Sequence, residues 1–81
     1  MNHKLQPLFG TASWQTEHAG QPHGFSEAGG RHFFHLHKKR LVEEGAVTLL
    51  RGQWHVIEPK FSEVRMQIAA EQARRMVGVA A

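Results

Sequence analysis

The sequence has no cysteine and no tyrosine. Without cysteine, neither a disulfide framework nor a thiolate metal site can form. That fits a reducing compartment, where disulfides are rare. Without tyrosine, any mechanism that needs a tyrosine nucleophile is excluded. Long apolar runs are also missing. No run approaches the roughly 18 apolar residues that a membrane helix requires. The opening residues, MNHKLQPLFG, lack the apolar segment of a signal peptide. The expectation is a cytoplasmic protein with no membrane association. Ser13, Ser26 and Ser62 lie in no nucleophile motif. No convergent nucleophile, base and oxyanion set is legible, so neither an enzyme nor a cofactor is expected.

What is present fits one small domain of 81 residues. A chain of this size buries only about 60–65% of its unfolded surface, which leaves its stability modest. The formal net charge is +3 and the pI about 10.0, a mild bias towards anionic partners. The bias is concentrated in residues 31–40, RHFFHLHKKR, which hold four basic residues, three of the seven histidines and no acid.

Residues 1–10 read as a flexible arm broken by Pro7 and Gly10, and residues 78–81 as a tail. Between them, residues 11–77 read as the folded domain. Residues 11–19 suggest a short helix capped by Thr11 and anchored by a buried Trp14. GQPHG is a turn by composition. A longer helix follows, capped by Ser26 and ended by Gly45. Gly29 and Gly30 weaken its first turns by about 1 kcal/mol each, which suggests a close approach to the backbone. At 100° per residue its apolar stripe is Gly30, Phe33, Phe34, His37 and Leu41. His32, His35, Leu36 and Lys39 face the other way, with Arg31 on their edge. Lys38 falls at the margin of the stripe, where its stem can snorkel.

Val47–Leu50 and residues 54–57 are β-rich runs flanking Arg51-Gly52-Gln53, a hairpin pattern. Pro59 then opens a helix to about Met76. Its stripe is Phe61, Val64 and Ile68, with Arg65, Glu71, Arg74 and Arg75 expected in solvent. Phe33, Phe34, Leu41, Val47, Val56, Ile57 and Phe61 are the expected core. The order is short helix, turn, longer helix, hairpin, helix. It indicates the α+β class and a small winged helix-turn-helix.

The segments FSEAGGR, LVEEGAV and HVIEPKF resemble corresponding pieces of the excisionase-like winged-helix proteins of phages and integrative elements, which are related to MerR-type DNA-binding domains. The resemblance covers about half the chain. It implies sequence-specific binding to double-stranded DNA, with a role in directing recombination or regulating a mobile-element promoter. It also implies an integrase or self-association on DNA as further partners. The wing turn of that family usually carries paired arginines, whereas this chain has Arg51 alone.

The DNA-facing candidates are therefore Arg31, His32, His35, Lys38, Lys39 and Arg40 on the long helix, with Arg51 and Gln53 at the hairpin tip. His32 and His35 also have the i, i+3 spacing of a two-ligand metal pair. A zinc site needs three or four ligands, so His18 or His23 would have to fold back, and no metal is expected. The alternative is a protein-binding module that uses His32, Leu36 and the hairpin as its interface.

Overall fold

In the computed structural model, residues 4–22 and 24–78 are described. The order is β1 (Lys4–Pro7), α1 (Trp14–His18), α2 (Glu27–Glu43), β2 (Val47–Leu50), β3 (Gln53–Glu58) and α3 (Lys60–Met76). The three strands form an antiparallel sheet in the order β1-β3-β2, so the chain is a small α+β fold. The core gathers Leu8, Trp14, Phe34, Leu41, Ala46, Val47, Val56, Phe61, Val64 and Ile68.

Local chemistry sets most element ends. Ser13, not Thr11, caps α1 in a reciprocal box with Thr16. Ser26 caps α2 through the Gly29 amide, as its spacing suggests. Gly30 is needed for close approach: a Cβ there would lie 2.5 Å from the Phe25 ring. The stripe on α2 has the expected phase, since Gly30, Phe34 and Leu41 are buried. Phe33 and Ile57 are only half-buried.

Three expectations are corrected. The arm is not loose throughout, because Lys4–Pro7 pairs with β3 in the register Gln6↔Val56. Gln6 is 6% exposed and Leu8 1%, so the folded unit includes β1. Pro7 is tolerated there because an edge strand turns every second N–H away from its neighbour. The hairpin loop has two residues, not three, because Leu50 pairs with Gln53. Arg51 and Gly52 have φ of 53° and 74°. This is the primed turn whose twist matches the strands, and glycine suits its second position.

Arg65 is not a solvated residue either. Its guanidinium lies 4.7 Å from the Phe25 ring centre and 4.8 Å from that of Phe33. It also donates to the Gly24 carbonyl at 3.4 Å. This cation–π clamp fastens α3 to α2. Burial holds Arg65 below its ordinary pKa.

His37 packs beside Phe33 at 4.8 Å, and its Nε2 is buried with no hydrogen-bond partner among the described residues. Burial lowers its pKa below 6.5, and the nearby charges of Arg40, Arg75 and Arg65 add to this against the opposing pull of Glu71. The neutral ring is thus the form that fits. Its stabilising contribution is complete above 6.5, the unfolded value, and is lost as pH falls through the lower folded value. The unfolding midpoint is therefore expected to drop on acidification below about pH 6.5. In a His37→Leu variant, a series of urea titrations should show a smaller drop.

Candidate nucleic-acid interface

α2 presents one face to solvent and turns another, which includes Phe34 of the buried stripe, towards the hairpin. His32, His35, Leu36 and Lys39 are exposed on the outer face. No acid occurs between residues 28 and 42, although Glu43 closes that face at its C-terminal end. The other face turns towards the hairpin. There Phe34 packs against Trp54 at 5.1 Å and against Phe9 at 6.4 Å. Two cations border this aromatic row. Arg31 sits 4.5 Å over Phe9, and Lys38 Nζ lies 5.9 Å from both the Phe34 and Trp54 ring centres. Trp54 thus braces the hairpin against α2, and Lys38 snorkels as expected.

Arg31 and the hairpin tip meet across a cleft of about 340 Å³ lined by Phe9, Gly10, Arg31, Gly52, Gln53 and Trp54. Arg51 is exposed at the turn itself. Phe9 and Gly10 were not legible as site residues, because a proline and a glycine made their segment look unstructured. Arg31 also pairs with Glu27 at 3.0 Å, with 59% and 64% of the two side chains exposed. Exposed i, i+4 pairs contribute little, so this contact does not sequester the guanidinium.

Arg40 differs from the other candidates. Its Nε donates to Glu44 at 2.9 Å, Nη1 to Glu71 at 2.8 Å, and Nη2 to Glu71 at 3.0 Å and Gln67 at 3.4 Å. Every guanidinium nitrogen is satisfied within the protein, and its pKa is raised by the hydrogen bonds it donates to Glu71 and Glu44. The same contact holds the Glu71 carboxyl below its ordinary value. Arg40 therefore links α2 to α3, and the expectation that it meets a phosphate gives way to that role. Nothing in its own sequence neighbourhood marks a partner 31 residues away.

The described residues contain no group of three or more histidines and acids placed to hold a metal ion. His18 instead stacks on Trp14 at 4.1 Å, and His23 lies outside the described residues. None of the described helices is long and apolar enough to cross a membrane. The chain matches no protein-family model, and neither a curated protein nor a solved structure matches it significantly.

Proposed function

We propose that the chain is a non-catalytic, sequence-specific binder of duplex DNA, built as a winged helix-turn-helix. In this reading α1 and α2 form the helix pair, α2 enters the major groove, and β2–β3 is the wing. The residues joining α1 to α2, 19–26, exceed the usual three to four of a helix-turn-helix. The observation that carries the reading is the cleft in which Arg31 meets Gly52, Gln53 and Trp54. It brings Arg31 and the hairpin tip to one surface, next to an acid-free stretch bearing His32, His35 and Lys39. Lys38, Lys39 and Arg51 serve as phosphate contacts. The excisionase-like role, an architectural accessory at a recombination site or promoter, rests on the sequence resemblance.

Two variants test the division of labour. Lys39→Ala should weaken binding to all sequences alike and flatten the salt slope by about one, as loss of a phosphate contact does. Arg31→Ala should cost roughly 1–3 kcal/mol and relax preference at one base pair. If both variants bind cognate and scrambled duplexes as the wild type does, α2 is not the reading helix.

A second reading is favoured by Leu36, which is 58% exposed amid the polar residues of α2. It makes that face a contact for a protein partner. Such a contact would depend on Leu36 and only weakly on salt.

A further inference from the structure

α3 buries Phe61, Val64 and Ile68, then continues for two more turns to Met76 with no buried residue. A second stripe runs along this helix. Met66, Ala70, Ala73 and Val77 recur at i, i+4, i+7 and i+11, the spacing of a coiled-coil seam. At 100° per residue they fall within about 60° of one another, opposite the buried stripe. All four are exposed, Met66 by 60% and Val77 by 70%, and the stripe carries no charge.

The two ends of the stripe differ in shape. Beside its N-terminal end lies an apolar trough. Two adjoining cavities of about 390 and 240 Å³ share Arg65 and Met66; the first is walled by Trp14 and Ser62, the second by Pro22 and Ala69. At the C-terminal end stands a knob. Met76 is 87% exposed and lies two turns on from Ala69, on the same flank of the stripe. A helix with a recess at one end and an apolar knob at the other is complementary to a reversed copy of itself, as a two-fold contact requires.

We propose that α3 pairs antiparallel with α3 of a second copy along this stripe, with Met76 of each copy seated in the trough of the other. The register follows from the spacing. With the two-fold axis midway between Ala70 and Ala73, Met66 lies level with Val77 of the other copy, and Ala70 with Ala73. All four stripe residues are then covered. The same register brings Met76 level with Met66 and Gln67 of the other copy, on the Ala69 flank, where the trough lies. On the opposite flank Arg74 meets Gln67 of the other copy, so no like charges are opposed. Alanines at the centre let the helix axes approach to the short end of the usual 8–10 Å. A parallel pairing would leave both troughs empty and both Met76 side chains in solvent. The contact is isologous and closes on itself as a dimer. It uses no residue of the candidate nucleic-acid interface, so it holds whether or not the chain binds DNA.

The intact chain of 9.2 kDa, followed by sedimentation equilibrium, should move towards twice that mass as concentration rises. One helix face is a small contact, so the rise should come between micromolar and millimolar protein. Ala70→Glu sets two carboxylates close to the axis and should weaken association by more than about tenfold. Residue 70 is exposed, so that variant should keep the wild-type circular-dichroism spectrum and urea midpoint. Cysteines report the orientation, since the chain has none of its own. Met66→Cys and Val77→Cys chains, mixed and mildly oxidised, should cross-link to each other, because their Cα atoms lie about 5 Å apart across the contact. Either chain alone should cross-link far more slowly, because the two copies of residue 66 are about 16 Å apart along the axis. A wild-type chain that stays monomeric up to millimolar concentration overturns the proposal. So does an Ala70→Glu variant that associates like the wild type, or a Met66→Cys chain that cross-links to itself as fast as to Val77→Cys.

Discussion

Trp14→Ala is expected to destabilise the protein by about 3–5 kcal/mol, the usual cost of deleting a buried indole. Trp14 is 1% exposed and joins elements distant in sequence. Its ring meets Phe61 of α3 edge-on at 4.9 Å, Phe25 at 5.2 Å and His18 at 4.1 Å. Its Nε1 donates to Glu58 at 2.7 Å. Small domains are stable by only about 5–15 kcal/mol, so the variant should lose much of its folded population well before the wild type in urea. An unchanged midpoint would mean that this cluster does not hold α1 to α3.

Glu58→Ala should cost about 2–4 kcal/mol, because one carboxylate satisfies three donors. It accepts from Trp14 Nε1 at 2.7 Å, from the Ser62 amide at 2.9 Å and from the Ser62 hydroxyl at 2.7 Å. The Ser62 amide is one of the orphan donors at the start of α3, whose cap position is Pro59, a residue without a capping side chain. Glu58 therefore does the capping from one residue earlier, where its charge also suits the positive end of the helix. Removing it strands an indole N–H and a helix amide, each costing about 1–3 kcal/mol when buried. The two sites share this hydrogen bond, so Trp14→Phe combined with Glu58→Ala should cost less than the sum of the single changes. Strict additivity in thermal or urea unfolding would contradict the shared bond.

What the sequence revealed, and what it hid, follows from the range of the interactions. The phase of α2 was legible because Gly30, Phe34 and Leu41 recur at helical spacing and the burial follows them. The hairpin was legible because two β-rich runs flank a glycine. β1 was hidden because its pattern is inverted: Gln6 is buried while Leu5 is 55% exposed. Gln6 tolerates burial by hydrogen-bonding to Glu17, which holds that carboxyl below its ordinary value. Arg65 was hidden because a guanidinium that lies over two ring faces looks, in sequence, like any solvent-facing cation. At the candidate interface, residues 31–39 were legible from their charge and phase. The cleft wall of Phe9 and Gly10 was not, because it depends on β1 pairing 50 residues along the chain.

Titration of a labelled cognate duplex with the wild-type chain from 50 to 200 mM salt tests the central claim most directly. With Lys38, Lys39 and Arg51 proposed as the phosphate contacts, log K against log[salt] should fall with a slope of about −3. A scrambled duplex should bind more weakly at every salt concentration. Absence of binding to either duplex near physiological salt, or a slope near zero, would contradict the DNA-binding reading.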